Sequence, residues 1–141
     1  GDKILPKTIL KLVKSGMIKI SKAKSLHNEL KNEKLVVCTY SGTTFIECMA
    51  LDRPCLLLLD SRLDALRENT VSYIKRLTKV KICHASIESM CLHINSIESD
   101  VGEWWYSNEV KHAKELFCSY LANNKGSIEK DLITIIRNCF T

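Results

Sequence analysis

Apolar positions along the chain follow two rhythms. Short runs with little polar interruption fall at Met17-Ile18-Lys19-Ile20, Leu35 to Cys38, Cys55 to Leu59 and Val80 to Cys83, the pattern of strands buried on both faces of a parallel sheet. Between them the spacing turns helical. Leu5, Ile9, Leu12 and Val13 share one face before Gly16, and Leu26 and Leu30 share another within Ser21 to Lys31. Thr43 or Thr44 opens an amphipathic run that Pro54 closes, and Leu63 to Leu77 carries the next. Ser86 caps a helix through Ile97, and Val110, Ala113, Leu116, Phe117 and Tyr120 mark one from Asn108 to Ala122. After the break at Asn123-Asn124-Lys125-Gly126, a last stripe runs from Ile128 to Cys139. Strands alternating with helices predict an α/β fold: a three-layer, Rossmann-like parallel sheet of about four strands flanked by helices. The 141 residues read as one domain, residues 107–141 packing on it or on a further half.

Composition adds limits to this picture. With 5 glycines and 2 prolines there is little material for linkers, and no repeat or low-complexity tract is present. No apolar run approaches the roughly 20 residues of a membrane span. The 7 cysteines form no Cys-x-x-Cys pair and mostly follow the apolar periodicity, so they are expected to be free, mostly buried thiols of a reduced, cytoplasmic protein. Cys83, His84, Cys91 and His93 lack the paired spacing of a structural zinc site, and neither metal nor cofactor is called for. Net charge is +5, but residues 1–34 hold nine lysines against Asp2, Glu29 and Glu33, which is +6 locally and leaves −1 for the rest. Without aromatic residues in that stretch or a nucleic-acid motif, nucleic acid is not an expected partner. Lys3, Lys7, Lys11 and Lys14 could instead line a solvated helix face or a contact with a membrane surface, in bacteria the inner membrane.

Candidate chemistry concentrates after the second predicted strand. Thr39-Tyr40-Ser41-Gly42-Thr43-Thr44 joins it to a helix through one glycine and a run of hydroxyls, at the sheet edge where helix N-termini receive anions. Ser41, Gly42, Thr43 and Thr44 would cradle a phosphate, and Glu47, one turn on, would accept from sugar hydroxyls. Thr44 and Glu47 equally fit a capping box, in which each satisfies helix-start N–H groups. Arg67 and His84 fall near the same edge, Arg67 as a partner for phosphate or for a neighbouring carboxylate. Trp104-Trp105 suits helix packing better than sugar stacking.

Ser41-Gly42-Thr43-Thr44-Phe45-Ile46-Glu47-Cys48-Met49-Ala50, followed by Arg53-Pro54, resembles the donor-domain motif of GT-B glycosyltransferases. More narrowly, it is similar to a family of bacterial GT-B-type transferases found with surface-polysaccharide genes. That likeness runs from about residue 17 to 121, through Leu66-Arg67-Glu68, Val80 to His84, Glu103 to Val110 and Phe117-Cys118. The resemblance implies a donor half that holds a nucleotide sugar and an N-terminal acceptor half, not included in these residues, that supplies any catalytic base. This chain alone would then bind without turning over. The competing class is a non-enzymatic binding module on the same scaffold. Many GT-B donor loops carry two glycines where this chain has Gly42 alone.

Overall fold

A computed structural model describes residues 7–22, 24–39, 43–59 and 68–123. In chain order the elements are α1 (Lys7–Lys14), α2 (Leu26–Leu30), β1 (Val36–Cys38), α3 (Thr43–Ala50), β2 (Cys55–Leu58), α4 (Glu68–Lys79), β3 (Cys83–His84), α5 (Ile87–Ile97), α6 (Val101–Trp105) and α7 (Asn108–Asn123). The three strands form one parallel sheet in the order β1-β2-β3, with Val36 opposite Cys55, Cys38 opposite Leu57, and Leu57 opposite Cys83. This is the α/β, Rossmann-like arrangement that the alternating pattern predicts.

Register determines what each face buries, because side chains alternate along a strand. Cys38, Cys55, Leu57 and Cys83 join the main core with Phe45, Cys48 and Met49 of α3, Ile74 and Leu77 of α4, Trp105 of α6, and Val110, Ala113 and Phe117 of α7. Leu56 and His84 take the alternate positions, where α5 packs on β2 and β3. The Phe45 and Phe117 rings, 5.9 Å apart, join α3 to α7. Tyr73 and Tyr120 stack at 4.3 Å between α4 and α7, and the Thr70 and Tyr120 hydroxyls are 2.9 Å apart.

Three expectations need correction. The strand expected at Met17 does not form. Gly16, at φ +77°, closes α1 by sending its own N–H to the Val13 carbonyl, and the Met17 and Ile18 N–H groups both turn back to Leu12. Those donors are therefore unavailable to a ladder. The strand expected from Val80 instead begins at Cys83, because Val80 and Lys81 complete the end of α4. There Lys81 N–H reaches Thr78 O and Ile82 N–H reaches Leu77 O. The same closure ends α3, with Asp52 N–H on Met49 O and Arg53 N–H on Cys48 O. Acidic residues 98–103, read as a turn, include the start of α6, where the Asp100 side chain accepts from Glu103 N–H at 3.0 Å. The last predicted helix, from 127 on, lies outside the described residues.

Of these three closures only the first uses glycine; Asp52 sits at φ +52° and Lys81 at φ +67°. A side chain in the left-handed region is strained, and the Lys81 side chain is exposed. Lys81→Gly is therefore expected to stabilise the fold by about 0.5–1 kcal/mol, net of the extra freedom glycine gives the unfolded chain. Urea unfolding monitored by tryptophan fluorescence measures this; a loss of stability would mean the lysine stem makes a contact that outweighs its backbone strain.

Candidate functional site

β1 ends at Cys38 and α3 begins at Thr43, so the α3 N-terminus stands at the carboxyl edge of the parallel sheet. Phe45, Cys48 and Met49 are buried and fix this helix against the strands. That leaves Thr43 and Glu47, one turn apart, exposed on the outer face, with Thr44 half-buried between them. First-turn N–H groups have no intrahelical acceptor, and the helix dipole places partial positive charge there. No acidic residue in the first turn of α3 offsets it. At the same edge α5 is already provided for: Ser86 Oγ accepts from Ser89 N–H at 3.1 Å, and Glu88 occupies its first turn.

Thr43, Thr44 and Glu47 are thus brought together on one short surface. Ser41, Gly42 and Arg67, expected beside them, lie outside the described residues. His84 is at the end of β3 but is only 2% exposed. Its Nε2–H donates to Lys81 O at 2.8 Å, which leaves Nδ1 to accept from the Ser89 hydroxyl at 2.9 Å. Burial holds its pKa below the ordinary histidine value, against the opposing pull of the Lys81 carbonyl. Both ring nitrogens are engaged within the protein, and their partners connect the end of α4 to the start of α5.

Sulfur lines the core behind this edge. Cys38, Cys48, Cys55 and Cys83 are free and buried, Cys118 is half-buried and Cys91 is exposed. Hydrogen bonding to Cys48, followed by burial, pushes the Cys38 and Cys55 thiols up, and burial alone does so for Cys83. Among the described residues no group of three or more His, Cys, Asp or Glu side chains is arranged to hold a metal ion.

The opposite edge of the sheet carries a charged cluster that sequence reasoning missed. Asp52 Oδ1 accepts from Lys114 Nζ at 2.8 Å and from Trp105 Nε1–H at 2.9 Å. The ammonium lies 4.0 Å from the Trp105 ring centroid and 5.2 Å from that of Tyr106. Lys114 is 7% exposed, so aromatic faces and one carboxylate replace most of its water. A cavity of about 450 Å³ opens beside it, bounded by Met49, Tyr106, Lys111 and Glu115. The available signal was the position of Lys114 on the same stripe of α7 as Val110 and Phe117. Trp105 is fully buried, and Trp104 donates Nε1–H to Val80 O at 3.0 Å, so both tryptophans pack, as their sequence context suggests.

His93 of α5 is buried edge-on against Trp104, with ring centroids 4.6 Å apart, and 5.4 Å from the His84 ring. Its Nε2 is enclosed without a hydrogen-bond partner, while Ser96 Oγ donates to the His93 carbonyl at 2.7 Å. Burial, then the neighbouring His84 and Lys81, bring its pKa down to about 4.

The comparison with known families decides the class. Residues 4–136 match the family model described as LIC12162 family transferase. The chain belongs to that family. No curated protein and no solved structure matches it. In this LIC12162 family transferase the first turn of α3 carries no acidic residue, and Thr43 and, one turn on, Glu47 are exposed.

Proposed function

We propose that this chain is the donor-binding half of a GT-B-type glycosyltransferase of surface-polysaccharide synthesis, and that it holds a nucleotide sugar at the α3 N-terminus. The observation that carries the reading is a helix start at the carboxyl edge of a parallel sheet with no first-turn carboxylate. Membership in a transferase family supports group transfer as the chemistry. The donor phosphates would sit over the first turn of α3, where Ser41, Gly42, Thr43 and Thr44 supply N–H and hydroxyl donors and Arg67 adds a guanidinium. Positive potential there favours the charge that builds on the departing nucleotide, the main electrostatic term in such a transfer. Glu47 accepts from ribose or sugar hydroxyls. His84 backs the edge, holding the start of α5 through Ser89. An acceptor-binding half would bring the second substrate and the catalytic base.

Glu47 separates this reading from simple helix capping. Glu47→Gln retains an acceptor but loses the charge, so calorimetric titration with nucleotide sugars is expected to show affinity at least about tenfold weaker, about 1.4 kcal/mol, with the melting temperature hardly moved. Unchanged affinity together with reduced stability would make Glu47 a cap and place the donor elsewhere.

A further inference from the structure

The first helix has its apolar side only half-covered by the rest of the protein. None of the residues of α1 is buried, Leu10 is 39% exposed, and the segment that follows exposes Met17, Ile18 and Ile20 at 76%, 37% and 55%. At helical spacing Ile9, Leu12 and Val13 fall on one side of α1, and Lys7, Lys11 and Lys14 on the other. A helix formed only to extend the core would bury that apolar stripe fully, as α3 and α7 do, whereas Ile9, Leu12 and Val13 stay half-buried.

Charge identifies what covers it. From residue 7 to 24 the sequence has Lys7, Lys11, Lys14, Lys19, Lys22 and Lys24 and not one acidic residue, and all six lysines are exposed. Two copies of such a face would repel each other, which disfavours self-association. An anionic bilayer surface meets both needs: apolar side chains enter the boundary between headgroups and acyl chains while the lysines remain among the phosphates. We infer that α1 and the segment through Ile20 form a membrane-surface docking element for anionic lipid. Among the described residues no helix is long and apolar enough to cross a membrane, and the contact proposed for α1 is with the bilayer surface. This inference stands apart from the donor site.

The test is partition of the full 141-residue chain onto phosphatidylcholine vesicles with and without phosphatidylglycerol, read by co-sedimentation. Binding is expected to the anionic vesicles alone and to fall steeply with salt. Lys7→Glu, Lys11→Glu and Lys14→Glu combined are expected to weaken it at least about a hundredfold. The pair Ile9→Ser and Val13→Ser, which keeps every charge, is expected to weaken it at least about tenfold. Both variants should unfold close to the wild-type denaturant midpoint, since α1 contributes no fully buried side chain to the core; a loss of binding that came with a lowered midpoint would assign the element to the fold and overturn the inference. Equal partition onto neutral vesicles, no partition at all, or a concentration-dependent dimer lost in the Ile9/Val13 variant would also overturn it.

Discussion

Asp52→Ala is expected to lower the folding free energy by about 3 kcal/mol, because it leaves the Lys114 ammonium enclosed without a counter-charge. The partners differ in exposure. The Lys114 side chain is 8% exposed and that of Asp52 59%, so the attraction itself is screened on one side while the penalty for an unpaired ammonium is not. The same substitution removes the acceptor of Trp105 Nε1–H and places alanine at a φ of +52°. Lys114→Met, which removes the charge and keeps an apolar stem, should cost about 1 kcal/mol. Asp52→Ala and Lys114→Met combined should then cost less than the sum of the two by about 2 kcal/mol. Urea unfolding of the four proteins measures this coupling, and additivity would mean that the ion pair contributes nothing beyond its separate parts.

The second large effect is a loss of stability in acid centred on His93. Its folded pKa of about 4 lies below the unfolded value of 6.5, so in that interval the unfolded chain binds the extra proton. Stability from this group is complete above pH 6.5, declines as pH falls through the window, and levels off below about 4. The total is about 3 kcal/mol, at roughly 1.4 kcal/mol per unit. His84, displaced in the same direction by burial, adds to the trend. Denaturation midpoints measured from pH 7.5 to 4 should therefore fall steadily, and His93→Phe should flatten much of the curve. Phenylalanine also removes the enclosed, unpartnered Nε2, so the variant should be no less stable at neutral pH. A wild-type midpoint independent of pH over this range would contradict the burial that lowers the pKa.

The parts of the fold that follow from periodicity were legible in the residues. β1, α3 and β2 come from an apolar run, a hydroxyl-rich turn, an amphipathic run ended before Pro54 and a second apolar run, all local signals. Ser86 was readable as the α5 cap for the same reason, a short polar side chain just before an apolar stripe. Met17 to Ile20 misled because a run of apolar residues records a wish for burial and not the backbone that achieves it; Gly16 had already committed the Met17 and Ile18 N–H groups to α1. Lys81 hid the end of α4, since a left-handed helix terminus is read from glycine and here carries a lysine. At the candidate site, the placement of Thr43, Thr44 and Glu47 at the start of α3 was legible from one strand-to-helix junction. The Asp52–Lys114 pair was not, because its partners are 62 residues apart and meet only when α7 packs on α3.

The most direct test of the central claim is a two-dimensional amide spectrum of the isotopically labelled chain during titration with a nucleoside diphosphate and the corresponding nucleotide sugar. The account predicts that the largest shifts fall on the Thr43 and Thr44 amides, with Glu47 moving further for the nucleotide sugar than for the diphosphate. Shifts confined to the cavity beside Tyr106 and Lys111, or no saturable shift with any nucleotide, would contradict it.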